Sequence, residues 1–176
     1  MKWMTRMALL AVVVTTVGCD QVSKHLATTH LRNSPPRSYL HDSVRLEYAE
    51  NTGAFLSLGA GLRPEVRSLL SSAGTGVFLF ACVFLALRRR WPPVRVLGMS
   101  LLFAGGLSNL IDRVVQGTVV DFLNVGIGPL RTGIFNVADM AVVLGLVLFV
   151  FGRALGAPAS GSADPLAAAG DGLLPP

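Results

Sequence analysis

Asp121 and Asp139 are carboxylates without a local counter-ion: neither has a basic residue three or four positions away. Two such groups held a few ångströms apart do not both ionise easily. A pair that shares one proton supplies the base and the acid needed to hydrolyse a peptide bond through an activated water. The same inventory supports other chemistries poorly. His25, His30 and His41 all fall in the first third of the chain, and no serine sits in an elbow motif. Cys19 and Cys82 lie in apolar stretches with no obvious base beside them, and they form neither a disulfide framework nor a metal spacing. No His/Cys/Asp cluster has ligand spacing, so neither a metal nor a cofactor is expected.

The remaining polar residues gather at helical spacings. Asp20 and Lys24 are four apart and share a helix face. Asn109, Asp112 and Arg113 share another, and Asn136 and Asp139 a third. Asp112–Arg113 reads more readily as a buried ion pair than as direct catalysts, and Asp20–Lys24 as structural support. Each set stands at the end of an apolar block, where polar groups are costly and suggest function.

Those blocks define the scaffold. The chain has 176 residues, 52% hydrophobic and only 14% charged, with a mean hydropathy of +0.58. A soluble domain carries about 25% charged residues. Four membrane spans are expected, over about 7–27, 68–87, 96–113 and 134–152, the second being the cleanest. The net charge of +5 is read as membrane topology rather than as a nucleic-acid surface. With both termini cytoplasmic, seven Lys/Arg lie inside and eight outside, so the raw count is indecisive. The density of Arg88, Arg89, Arg90 and Arg95 in one short link decides for this orientation. All eight acids from Asp20 to Asp139 then lie at or beyond the outer rim. Asp139, about five residues into its block, would sit roughly 7 Å below that rim.

Between the first two spans, Val44, Leu46 and Tyr48 alternate with Arg45, Glu47 and Ala49 as in a half-exposed strand. Asn51-Thr52-Gly53 reads as a turn and Ala54–Leu58 as a returning strand. The fold class expected is thus an all-α membrane protein with a small outer β-hairpin over about 40–60, lying on the membrane surface. The second outer loop, Val114–Gly133, is Gly-rich and β-branched and looks extended. Residues 1–156 form one membrane domain, and 157–176 are expected to be a disordered cytoplasmic tail.

Five segments in order resemble the lipoprotein signal peptidase (signal peptidase II) family of bacterial aspartyl membrane proteases. They are Asp20-Gln21-Val22-Ser23-Lys24, Asn51-Thr52-Gly53-Ala54-Phe55, Gly105 through Arg113, Val119-Val120-Asp121-Phe122 and Phe135-Asn136-Val137-Ala138-Asp139. The resemblance covers roughly Lys2 to Arg153. It implies that Asp121 and Asp139 are the catalytic pair. Asn51, Gly53, Asn109, Asp112, Arg113 and Asn136 would shape the site or bind substrate, with Asp20 and Lys24 supporting the fold. It implies diacylglyceryl-modified prolipoproteins as substrates, cut just before the modified cysteine. It also implies the bacterial cytoplasmic (inner) membrane, with membrane lipid as the other partner and the site on the outer side. A monomer without cofactor is expected. Ser108 stands where the family usually has glycine, which predicts altered helix packing there.

Two rival readings come from other classes. Met1–Cys19 itself looks like a lipoprotein signal, which would make the chain a lipid-anchored binding protein, although Thr16 stands where leucine is preferred. An ion or proton carrier would also use intramembrane acids, but it predicts them near mid-membrane.

Overall fold

The structure is a computed structural model that describes residues 3–53, 61–88 and 91–155. The return strand expected over 54–58 and the tail over 157–176 lie outside the described residues. Among the described residues there are four helices: α1 (Trp3–Leu31), α2 (Pro64–Arg88), α3 (Pro93–Gln116) and α4 (Val137–Leu155). Proline at N1 starts α3, where its missing N–H costs nothing. Gly117 ends it at φ 76° and donates its N–H to Arg113 O at 3.0 Å. The helices therefore run further than the apolar blocks alone suggest, and Asn109, Asp112 and Arg113 stand within α3 rather than at its end.

α1, the Glu65–Ala86 part of α2, and α3 are long and apolar enough to cross a membrane. In α4 the apolar stretch is Val137–Gly152, about 24 Å at 1.5 Å per residue. Large apolar side chains point outward along the bundle, among them Val14, Leu69, Val77, Phe80, Val143 and Phe151. In water this surface would drive association, whereas hydrocarbon solvates it.

α3 is the central helix and packs against the other three. Its seam with α4 is made by close backbone approach. A Cβ on Gly98 would stand 2.7 Å from Gly145 O, and one on Gly105 would stand 2.4 Å from Ala138 O. Small residues let helices pack tightly where no hydrophobic force separates protein from lipid. Gly105→Ala is therefore expected to push α4 away from α3, to cost about 1–3 kcal/mol and to lower the unfolding midpoint in detergent. Gly74→Ala, where a Cβ meets nothing within 4 Å, should leave the midpoint unchanged or raised.

The β structure is larger than a local hairpin. Strands β1 (Arg37–Tyr39), β2 (Val44–Asn51), β3 (Val119–Ile127) and β4 (Leu130–Arg131) form one antiparallel sheet in the order β1-β2-β3-β4. The all-α expectation is corrected accordingly to a mostly helical fold with a four-stranded sheet. The alternating segment is strand β2, and its hairpin with β1 spans 37–51. Its second partner is β3, from the loop expected to be extended, with Ala49 opposite Asp121 and Asn51 opposite Val119. A register shift between Leu46 and Ala49 marks a bulge just before this pairing. Val120 and Phe122 of β3 pack with Ala27 and Leu31 at the end of α1, so the sheet is seated on the helices.

Candidate active site

Asp20 and Lys24 lie one helical turn apart on α1, and both are buried. Lys24 Nζ stands 2.6 Å from Asp20 Oδ2 and 2.6 Å from Asp112 Oδ2 on α3. It also donates to Asn109 Oδ1 at 2.8 Å. Three oxygens thus surround the ammonium. The pairing corrects the Asp112–Arg113 expectation: adjacent residues on a helix point apart, and Asp112 turns to Lys24 instead.

Asp20 has a second task. Its Oδ1 accepts the backbone N–H of Ala138 at 2.7 Å, at the N-terminus of α4. That end of a helix carries unsatisfied N–H groups and a partial positive charge, so a carboxylate is favoured there. Asn136 and Asp139 complete the cap reciprocally. Asp139 N–H donates to Asn136 Oδ1 at 2.9 Å, and Asn136 N–H donates to Asp139 Oδ2 at 3.2 Å. This is a capping box built from Asn and Asp. Asp139 therefore lies in the first turn of α4, nearer its end than the apolar block suggested.

The two carboxylates are bridged by amides. Asn136 Nδ2 donates to Asp121 Oδ1 at 2.7 Å and approaches Asn109 Oδ1 at 3.3 Å. Asn109 Nδ2 in turn donates to Asp139 Oδ1 at 2.9 Å. Asn51 Nδ2 donates to Asp121 Oδ2 at 3.1 Å. Asp121 is only 3% exposed, and its carboxyl is pushed up to about 6. Burial is the main cause and the charge of Asp139 the second, while the amides of Asn51 and Asn136 oppose the shift.

Gly53 does not reach the carboxylates. Its N–H donates to Asn51 Oδ1 at 2.9 Å, which orients the Asn51 amide. Its φ is +95°, and a Cβ would meet Ser71 of α2 at 2.5 Å, so only glycine fits that turn. Arg113 is half-buried and lines a cavity of about 500 Å³ with Thr52, Glu65, Ser68, Ser72 and Thr118. Its guanidinium lies 3.5 Å from Asn109 O. The structure thus gathers Asp20, Lys24, Asn51, Asn109, Asp112, Asp121, Asn136 and Asp139 into one network, with Gly53 and Arg113 at its edge.

Two members carried no assigned role in the sequence. Gln21 Nε2 donates to Asp112 Oδ1 at 2.8 Å and Ser108 Oγ at 3.0 Å. Ser108 is fully buried, and its hydroxyl donates to Asp20 Oδ2 at 2.8 Å. The hydroxymethyl is accommodated by polar partners rather than by looser packing. The signal for Gln21 is its place beside Asp20, three residues before Lys24 on α1. For Ser108 only the three-dimensional partner reveals the role. Ser108→Ala leaves the Asp20 carboxylate one donor short and is expected to cost about 1–3 kcal/mol, read by thermal unfolding in detergent. α1 also continues unbroken through Gly18-Cys19 into this network.

Residues 12–154 match the family model described as signal peptidase (SPase) II. The lipoprotein signal peptidase of Desulforapulum autotrophicum is 35% identical over 156 residues, covering 84% of this chain and 91% of that protein. That of Moorella thermoacetica is 36% identical over 143 residues, covering 80% and 87%. Among solved structures, a bacterial membrane enzyme superposes with a TM-score of 0.72 at 26% identity, covering 85% of this chain and 94% of the other.

Proposed function

Because the chain belongs to the signal peptidase II family, a family of membrane-embedded proteases, we propose that it frees prolipoproteins of their signal peptides by cutting just before a diacylglyceryl-modified cysteine, with Asp121 and Asp139 as the catalytic pair. The observation that carries this reading is the amide bridge through Asn136 and Asn109, which holds the buried Asp121 carboxylate and the half-buried Asp139 carboxylate, on different elements, in one site. One carboxylate, ionised, takes a proton from water as it attacks the scissile carbonyl. The other, protonated, donates to the carbonyl oxygen. As the C–N bond breaks, the first passes the proton it took from water to the departing amide nitrogen, and the second regains its proton from the gem-diol as the carbonyl re-forms. Arg113 and the cavity beside it receive the substrate backbone. Asp20, Lys24 and Asp112 hold α1, α3 and α4 in register beneath the pair.

All four helices span the bacterial cytoplasmic membrane in this reading, with the site at the outer face. The short polar end of α4 suits that position, because Asp139 then meets the interface rather than hydrocarbon. A lipid-modified cysteine holds its own scissile bond at the same height. The chain acts as a monomer. The test is cleavage of a purified diacylglyceryl-modified precursor by the protein in detergent or vesicles, with product mass measured. The product should begin at the modified cysteine, and the unmodified precursor should survive. Equal cutting of both precursors, or cutting elsewhere, overturns the reading.

Asp121 also predicts a pH dependence. Its carboxyl is raised from 3.8 to about 6 in the folded protein. A raised value means the folded state holds the proton more tightly. The associated stability is full below pH 3.8 and is lost as pH rises through about 6. Asp121→Asn removes that loss. Its stability relative to the parent should therefore grow between pH 4 and pH 7, by on the order of 2–3 kcal/mol, as read by unfolding midpoints across that range. A difference that stays flat with pH would exclude the raised value.

A further inference from the structure

The far end of the sheet from the active site carries an apolar tip. Ile127 and Leu130 flank the β3–β4 turn and are each 82% exposed, and Leu40 in the β1–β2 turn is 73% exposed with Tyr39 beside it at 47%. The two turns are fastened together. Gly126 N–H donates to Ser43 O at 2.9 Å, and Arg131 Nη1 donates to Asp42 O at 2.7 Å. Leu40, His41 and Asp42 all have positive φ, at 51°, 54° and 67°. Three consecutive non-glycine residues in that region are costly, and such strain persists where the surroundings impose it. Here it holds Leu40 outward beside Ile127 and Leu130 rather than folded against the sheet.

The charges around the tip are mostly positive. Arg37 is exposed, and Arg45 and the mostly buried Arg131 flank the Asp42 carboxylate, with Glu47 the second acid near Arg45. The apolar surface of the bundle also runs up to the sheet. Val114 and Val115 in the last turn of α3 are each 73% exposed, four residues before β3 begins. From Asp121 the strand reaches the tip at Ile127 in about 20 Å, at 3.3 Å per residue. Aliphatic and aromatic side chains rimmed by arginine match the boundary between headgroups and acyl chains.

We propose that this tip is a second membrane contact, seating Leu40, Ile127 and Leu130 at the headgroup–acyl boundary of the leaflet nearest the site while Arg37 and Arg45 meet lipid phosphates. A second contact fixes the height of Asp121 above the bilayer, and with it the height at which a lipid-anchored scissile bond is met. That last consequence rests on the function proposed above, whereas the contact itself does not.

The direct test places the only tryptophan at the tip. Ile127→Trp is made in the full chain with Trp3→Phe and Trp91→Phe, and the protein is reconstituted in phosphatidylcholine–phosphatidylglycerol vesicles with brominated acyl chains. Emission should be blue-shifted and roughly halved relative to unbrominated vesicles. Emission insensitive to bromine overturns the proposal, whether the residue is open to aqueous iodide or shielded from it by another protein surface. A second variant, Ile127→Ser with Leu130→Ser, should raise KM severalfold for a lipidated precursor in vesicles, with kcat retained and activity in detergent unchanged. An equal loss in detergent would show a merely structural role. If the chain cuts no lipidated precursor, the bromine result still stands or falls alone.

Discussion

Asp121→Asn and Asp139→Asn should each lower cleavage of a lipidated precursor by about 10³-fold or more, with protein levels in the membrane unchanged. The magnitude follows from the proposed roles. A positioned acid or base contributes about 10²–10⁴-fold, and groups that act as a unit lose most of their effect when either is removed. The amide replacement is chosen because it keeps the shape of the side chain. Asn136 Nδ2 could still donate to the amide oxygen at position 121, as it does to Asp121 Oδ1 at 2.7 Å. At 139, the amide oxygen could still accept one of the two bonds from Asn109 and from the Asn136 backbone. Loss of turnover with an intact fold would then isolate proton transfer. The double variant should be scarcely worse than either single one. Turnover like the parent's in either variant would end the assignment, and additive losses would mean that the two carboxylates act separately.

The largest effect on stability is expected at Lys24. Among the described residues, its ammonium is the one cation within 3 Å of both Asp20 and Asp112, and all three side chains are at least 95% buried. Lys24→Met keeps the length of the side chain and removes the charge. Two buried carboxylates then lose their shared partner, an uncompensated burial that costs about 3–5 kcal/mol. A membrane protein of this size has little margin beyond that, since folded domains are stable by about 5–15 kcal/mol. The variant should accumulate poorly and unfold at a much lower temperature. Adding Asp112→Asn should restore part of the loss, because it removes one of the stranded charges and leaves a group that can still accept from Gln21. The double variant being less stable than Lys24→Met would show that Asp112 is held by other means. Arg113 does not substitute for Lys24, since its guanidinium turns toward Asn109 O and the cavity.

Much of the site could be read from spacing. Asp20 and Lys24, Asn109 and Asp112, and Asn136 and Asp139 were each placed on one helix face, and all six meet in the network. The 3.6-residue period fixes such neighbours whatever the helix packs against. Asp121 was singled out by the resemblance to the signal peptidase II family, since Glu47, Glu50, Glu65 and Asp112 also lack a basic neighbour three or four positions away. The β2 strand was legible because its side chains alternate. What could not be read was its partner. A hairpin to a following strand is the nearest solution along the chain, yet β2 pairs with β3 about seventy residues away. The pairing also brings Asn51 to Asp121, a bond between residues that no local pattern connects.

From the sequence by itself follow an apolar helical bundle, the polar sets that share its helix faces, and a β segment between the first two helices. These depend on period and composition, which are local properties. The tertiary structure decided which charges neutralise which, that Ser108 and Gln21 belong to the network, and that Asp139 and Asn136 cap α4 while bridging to Asp121. A buried ion must be satisfied by whatever stands nearest in space. Near Lys24 those groups come from two helices separated by some eighty-five residues, and only the packing of α3 on α1 and α4 brings them within reach.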